Sequence, residues 1–196
     1  MKVITTLTLK IMEEISKDLT RKWSINELSK KINKHYRPVH AAVQSLIKQE
    51  FLIKNQNSLI EPNFKDTLLL ELAEKQRLLN HKDKEIKIIK DKLSGIKTVF
   101  FSAVLFGSSV SKNGKDIDIL MIMPNSGEIS NFQRMAEAEL GSFYSKVDLN
   151  IVSEESCYEM LNKSNQLNVM NEIMKNHLVL EGADSFYKIL KRWKNG

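Results

Sequence analysis

A glycine-serine pair and two aspartates in the middle of the chain have the spacing that phosphate chemistry requires. An apolar run from Ala103 to Phe106 ends at Gly107 and Ser108. Glycine lets a backbone turn approach a phosphate closely, and serine adds a hydroxyl donor. Asp116 and Asp118 follow at the start of a second apolar run. Residues i and i+2 of a strand share a face, so these carboxylates are expected ~6.5 Å apart, which favours a divalent metal between them.

A third carboxylate, Asp148, lies in a further strand-like run over residues 146–152. The ordered set Gly107-Ser108, Asp116-x-Asp118 and Asp148 resembles the DNA polymerase beta superfamily of nucleotidyltransferases, and in particular its small stand-alone members. The resemblance covers roughly residues 95–152. The simpler alternative is that the three aspartates cap turns or stand exposed at the ends of strands.

The resemblance implies an activity and a set of ligands. A nucleoside monophosphate, with AMP preferred, would move from a nucleoside triphosphate such as ATP to a hydroxyl on a protein or small molecule. Asp116, Asp118 and Asp148 would ligate Mg²⁺ or Mn²⁺, and Asp148 would help to deprotonate the hydroxyl. Gly107 and Ser108 would hold the triphosphate.

The composition is that of a globular protein without a membrane segment. The chain has 196 residues, of which 42% are apolar, and its one cysteine, Cys157, excludes an internal disulfide. Residues 1–14 lack the apolar stretch of a signal peptide, and no run approaches a ~20-residue membrane span. A cytoplasmic location without a membrane partner is therefore expected.

The first third of the chain carries the entire net positive charge. Residues 1–65 contain 12 Lys and Arg against 6 Asp and Glu, whereas the remaining residues contain 18 of each. Helical periodicity, a Ser24–Glu27 capping box and two short apolar runs around residues 55–57 give this region three helices and a hairpin. That order resembles a winged helix-turn-helix domain. The predicted elements are helices over 5–19 and 25–32, a helix opening near Pro38, and a hairpin over 51–61.

In such a domain the third helix is the recognition helix, whose exposed residues reach the major groove. Its candidate DNA contacts, together with one residue of the hairpin, are Tyr36, Arg37, His40, Gln44 and Lys54. Duplex DNA is the expected partner of residues 1–65, because a basic excess confined to one region fits a phosphate backbone. A solvated basic surface or a protein-contact module is the alternative.

Residues 63–94 contain neither glycine nor proline. This stretch therefore predicts one long linker helix. Leu72, Leu79, Ile86 and Leu93 recur every seven residues, which is half of a coiled-coil seam. This helix would either join two protomers into a homodimer through residues 66–93 or pack against one of the flanking domains.

The predicted fold class is α+β. A winged helix-turn-helix domain (1–62) and a long linker helix (63–94) precede a nucleotidyltransferase-type mixed sheet with flanking helices (95–196). The first functional hypothesis is an active transferase coupled to a DNA-binding domain. The second is a DNA-binding regulator whose transferase-like domain is inactive and serves nucleotide sensing or dimerisation; the short spacing between Ser108 and Asp116 favours it. A third alternative, by family analogy alone, is an antitoxin that modifies a partner toxin.

Overall fold

The computed structural model of the protein describes residues 4–96, 102–111, 116–163 and 166–195. The α+β class is confirmed: in these residues nine α-helices accompany a mixed four-stranded sheet and a small antiparallel sheet. The helices are α1 (Thr6–Ile15), α2 (Ile25–Lys31), α3 (Tyr36–Lys48), α4 (Leu68–Asn80), α5 (Lys84–Gly95), α6 (Ile129–Leu140), α7 (Glu154–Asn162), α8 (Val169–Lys175) and α9 (Ala183–Asn195). The strands are β1 (Leu52–Lys54), β2 (Ile60–Pro62), β3 (Ser102–Phe106), β4 (Ile117–Met123), β5 (Val147–Ser153) and β6 (His177–Glu181).

Helices α1 and α2 begin where side-chain caps satisfy their first amides. The predicted box on α2 is confirmed: Ser24 Oγ accepts a hydrogen bond from Glu27 N at 3.2 Å, and Glu27 Oε2 accepts one from Ser24 N at 2.9 Å. Asn33, with φ of 52°, turns the chain between α2 and α3. The predicted hairpin is also present, because β1 and β2 pair antiparallel. Three helices followed by a hairpin therefore form in the predicted order.

The predicted single helix over residues 63–94 is wrong. Helix α4 ends at Asn80, His81 has extended backbone angles, and a new helix begins after Asp83, whose side chain accepts a hydrogen bond from Glu85 N at 2.8 Å. The two helices cover opposite faces of the four-stranded sheet, which one straight helix could not do. The heptad seam is consequently divided: Leu79 is 70% exposed while Ile86 is buried. A homodimer through residues 66–93 stays a prediction, without a continuous seam to support it.

The four-stranded sheet has the order β5-β4-β3-β6. Strand β3 runs antiparallel to both of its neighbours, and β4 and β5 run parallel. Helices cover both faces, so β4 is apolar at every position after Asp118. Leu120 and Ile122 face the layer of α1–α4 and α7–α9, whereas Ile119 and Met121 face α5 and α6.

The N-terminal half and the sheet share one hydrophobic core. A single cluster of buried side chains runs from α1, α2 and α3 through α4 to α7, α8, α9 and one face of the sheet. A backbone hydrogen bond from Leu19 N to Met174 O, 2.8 Å long, crosses the same boundary. The three-part division into 1–62, 63–94 and 95–196 stays a prediction, and α4 contributes buried side chains to both of the flanking parts.

Helix α4 also carries a buried charged pair into that boundary. Glu74 is fully buried, and the Arg77 side chain is 8% exposed and donates hydrogen bonds to Glu74 and to the His177 carbonyl. Glu74 Oε2 accepts a hydrogen bond from Val179 N at 3.1 Å, which satisfies an amide on the edge strand β6. Arg77 also donates to Ser16 Oγ at 3.3 Å. The pair therefore ties α4 to the strand beside the candidate site and to the end of α1.

Candidate functional site

The turn after β3 and the starts of β4 and β5 meet at one end of the sheet. Phe106, the last residue of β3, lies opposite Asp118 on β4, and Asp118 lies opposite Asp148 on β5. Residues paired across parallel strands are ~4.8 Å apart and point to the same face. The predicted proximity of Asp118 and Asp148 is therefore present in the structure.

Gly107 begins a 3₁₀ turn (Gly107–Ser111) directly against the Asp118 carboxylate. Its φ is +71°, in the left-handed region that side chains disfavour. A Cβ placed on Gly107 would lie 2.5 Å from Asp118 Oδ2. The sequence needs glycine here for two reasons, the backbone angle and the close approach to the carboxylate.

Two polar side chains fix this turn: Ser109 within it and Asn176 after α8. Ser109 is buried and donates a hydrogen bond to the Phe106 carbonyl at 3.1 Å. Asn176 Nδ2 donates to the Gly107 carbonyl at 3.1 Å, and it is placed there because the next residue, His177, pairs with Phe106. Ser108, whose hydroxyl is predicted to donate a hydrogen bond to phosphate, is exposed on the turn. The hydrogen bonds of Ser109 and Asn176 thus fix the turn, while Ser108 on the same turn is exposed to solvent.

Negative charge accumulates around Asp118. Partial burial raises the pKa of the Asp118 carboxyl, and the nearby carboxylates of Asp148, Asp116 and Glu172 raise it further. Asp116 and Asp148 are exposed, whereas Asp118 is half-buried. Glu172 lies on α8, and sequence reasoning missed it because it is far from the motif and stands in no recognisable spacing to it.

The three predicted ligands do not form a closed cluster in this arrangement. Among the residues that the structure describes, no three His, Cys, Asp or Glu side chains stand close enough together to hold a metal ion. In addition to burial, the negative charges of Asp148 and Asp116 nevertheless raise the pKa of Asp118. Lys115, which precedes the first aspartate, lies outside the described residues.

His177 and Cys157 are both fully buried. His177 Nδ1 lies 2.7 Å from the Ile173 carbonyl, and burial lowers the pKa of its imidazole to about 4, so the ring is neutral at pH 7. Burial raises the pKa of the Cys157 thiol to about 12, which keeps it protonated and unreactive. Neither side chain belongs to the candidate site.

A second candidate surface lies on α3, in the N-terminal third of the chain. Tyr36, Arg37, His40 and Gln44 are all exposed along one side of this helix, and Tyr36 is 50% exposed. The rings of Tyr36 and His40 contact each other with centroids 5.7 Å apart. Lys54, the fifth predicted DNA contact, is exposed at the end of β1. The opposite side of α3 buries Val39, Val43 and Leu46.

No helix in the described residues is long and apolar enough to cross a membrane. Comparison of the chain with protein-family models, with curated proteins and with solved structures found no match. What is known of the site is therefore its geometry: a glycine turn against Asp118, and Asp148 on the adjacent parallel strand.

Proposed function

We propose that this protein is a metal-dependent nucleotidyltransferase that moves AMP from ATP to a hydroxyl acceptor, and that its N-terminal winged helix-turn-helix region binds duplex DNA. The observation that carries the catalytic proposal is the register between β4 and β5, which sets Asp148 directly beside Asp118. The Gly107 turn contacts the same carboxylate. A glycine turn that can hold phosphate, set beside two carboxylates that can ligate a metal, is what nucleotidyl transfer requires.

The proposed reaction forms one bond and breaks one. The acceptor oxygen attacks the α-phosphorus of ATP, the bond from that phosphorus to the oxygen bridging to the β-phosphorus breaks, and pyrophosphate leaves. Asp148 accepts the hydroxyl proton, because it is exposed and adjacent to Asp118. The amides of the Gly107 turn and the Ser108 hydroxyl bind the triphosphate oxygens. Asn176 keeps the turn in place by its hydrogen bond to the Gly107 carbonyl.

The carboxylates fit a divalent cation by their chemistry. Oxygen ligands are those that Mg²⁺ prefers. Partial burial and, after it, repulsion from neighbouring carboxylates raise the pKa of Asp118, and a cation would remove the repulsion. Asp116, Asp118 and Asp148 would hold Mg²⁺ or Mn²⁺. When bound, the ion would neutralise negative charge on the triphosphate.

DNA binding is supported by the exposed polar side of α3 and by the charge of residues 1–65, which is +6. The buried Glu74–Arg77 pair gives the two activities a physical connection. It contacts Ser16, at the end of α1, and the backbone of β6, whose first residue follows Asn176. A change in the Gly107 turn therefore has a short path to the N-terminal helices.

The test of transferase activity is incubation of the full chain with α-labelled ATP and Mn²⁺, alone and with an extract of its own cells. Label is expected on the protein itself or on one partner. Asp148→Ala should remove the label while part of the ATP-induced thermal stabilisation remains, because Asp148 acts on the acceptor more than on the triphosphate. Asn150→Ala is the matched control, since Asn150 is the next exposed residue on the same side of β5. Label that persists in Asp148→Ala would refute its role.

The second candidate function is a DNA-binding regulator that senses nucleotide without transferring it. The open arrangement of the three carboxylates favours it, because binding of a triphosphate needs the glycine turn and fewer ligands than catalysis. Clear thermal stabilisation by ATP without any label in the wild-type protein would support this second function. Asp148→Ala would then bind ATP as the wild type does.

A further inference from the structure

The last helix of the chain has a strongly basic exposed side. Helix α9 buries Phe186, Tyr187 and Leu190 among others, and it leaves its lysines exposed on the opposite side. Residues 183–196 contain four Lys and Arg against one Asp, so this segment has a net charge of +3. Residues 66–196 as a whole are neutral, so the positive charge of α9 is offset by acidic residues elsewhere in this part of the chain. The basic residues of α9 are Lys188, Lys191, Arg192 and Lys194.

This basic side of α9 adjoins the hairpin of the N-terminal region. Lys188 and Lys191 line a surface concavity of about 420 Å³ together with Lys65, which follows the hairpin. Lys194 and Lys65 line a second concavity, of about 360 Å³, together with Ile53 and Pro62 of the hairpin strands. Lys65 and the lysines of α9 are far apart in sequence but line the same two concavities.

Most of this charge has no acidic partner. Among the described residues, Lys65, Lys188 and Lys191 take part in no ion pair. Arg192 is the exception, since it lies 3.5 Å from Glu154 and 4.8 Å from the centre of the Tyr158 ring. Exposed lysines on flexible stems hold a small anion poorly, but they bind a linear polyanion well because each phosphate contact releases a counterion.

We propose that the basic side of α9, together with Lys65, contacts the phosphate backbone of the same duplex that α3 reads. The inference rests on the proposed DNA binding of the N-terminal region and extends the interface to the catalytic half of the chain. Contacts of this kind position a protein on DNA without reading its sequence. The α9 surface therefore adds affinity and fixes the orientation of the catalytic half relative to the DNA.

The test compares two double variants of the full chain. Lys188→Gln/Lys191→Gln removes two charges three residues apart on α9, and Lys84→Gln/Lys87→Gln removes two charges with the same spacing on the exposed side of α5, which packs on the opposite face of the sheet. Duplex affinity is measured over a series of salt concentrations. The α9 variant should bind about tenfold more weakly at low salt, and the slope of log affinity against log salt should become shallower by about 2. The α5 control should change affinity by less than about twofold.

Each other outcome has a definite meaning. Equal slopes for the two double variants would overturn the inference, and if Arg37→Ala still weakened binding, the proposed DNA binding by α3 would stand alone. Failure of the wild-type protein to bind a duplex at low salt would overturn both. A poly-glutamate that binds the wild type but not the α9 variant, with duplex affinity equal in the two proteins, would assign the α9 surface to an acidic protein instead.

Discussion

Asp118 and Asp148 occupy facing positions on adjacent parallel strands, with the Gly107 turn in contact with the first of them. This relationship makes Asp118 the centre of the candidate site. Its carboxyl group is the one whose pKa is raised by burial and by three neighbouring carboxylates.

ATP with Mn²⁺ should raise the melting temperature of the wild-type protein, because a ligand that binds only the folded state stabilises it by mass action. At a ligand concentration of about 100 times the dissociation constant the gain is about 2.7 kcal/mol, or several degrees for a chain of this size. Asp118→Asn should remove most of that shift. Differential scanning fluorimetry measures both proteins, and an unchanged shift in the variant would exclude Asp118 from the ligand site.

Without ATP and metal, the same variant should melt slightly higher than the wild type at pH 7. A carboxyl whose folded pKa is raised contributes stability below its unfolded value of 3.8 and loses that contribution as pH rises through the folded value. Asp118→Asn avoids this loss. The difference in melting temperature between the variant and the wild type should therefore vanish as pH falls below about 4. The gain should be only ~1–2 °C, because the carboxylate is only partly buried and solvent screens its interactions.

Gly107→Ala should destabilise the protein by about 2–3 kcal/mol and abolish ATP binding, because a Cβ would collide with Asp118 Oδ2 and the φ of +71° disfavours a side chain. Gly141→Ala is the matched control. Gly141 has a φ of +55° but no atom within 4 Å of an added Cβ, so it carries the backbone strain alone, about 1 kcal/mol. Urea unfolding of both variants separates the effect of the steric collision from that of the backbone strain. If both variants lost the same free energy of unfolding, the close contact at Gly107 would be contradicted.

Arg37→Ala should weaken duplex binding by about 5–10-fold, because Arg37 is exposed near the start of α3. Lys10→Ala removes the same charge from the exposed side of α1 and should have less than half of this effect on the binding free energy. Fluorescence anisotropy with a labelled duplex at fixed salt measures both. If the two variants lose affinity equally, only the net charge of the region matters and α3 has no special role.

The neutral His177 predicts a pH dependence of stability. Its folded pKa is about 4 and the usual value is 6.5, so the unfolded chain takes up a proton first as the solution is acidified. Stability should therefore be complete above pH 6.5 and fall by about 3 kcal/mol as pH drops to 4, from ~1.4 kcal/mol per pKa unit. His177→Gln should lack this component, and urea unfolding at pH 7 and pH 5 compares the two proteins. If the free energies of unfolding of the wild type and of His177→Gln differed by the same amount at pH 7 and at pH 5, His177 would not be the source of the pH dependence.

The buried pair on α4 predicts a non-additive double variant. Arg77→Met should cost about 3–5 kcal/mol, because Glu74 would remain buried and charged without its partner. Glu74→Gln/Arg77→Met should recover part of that loss, since the neutral amide oxygen can still accept from Val179 N. Thermal unfolding of the two variants checks this prediction, which would fail if the double variant were the less stable one.

Local signals in the sequence predicted much of the architecture. The Ser24–Glu27 box, the alternation of apolar residues around Asp148 and the glycine after β3 each act within a few residues, so they could be recognised without the fold. The break at His81 was missed because no glycine or proline marks it. Its cause is tertiary: α4 and α5 pack on opposite faces of the sheet.

The candidate site was predictable only as far as strand pairing could be guessed. Asp118 and Asp148 were found because each stands in an apolar run, and their register follows from the parallel pairing of those runs. Asn176 and Glu172 were not found, since they reach the site from α8 and its C-terminal end through long-range packing. The basic side of α9 was hidden by the balanced charge of residues 66–196.

Helix α4 has a consequence for how this protein could be divided or recombined. Leu69, Leu70 and Ala73 belong to the core that also contains Ile11 and Ile15, so a segment ending at residue 65 would lose the helix that α1 packs against. The two halves are not interchangeable modules. A chimera that replaces the N-terminal helices with those of another protein would have to keep α4 and rebuild its contacts with α1, or it would expose an apolar surface and aggregate.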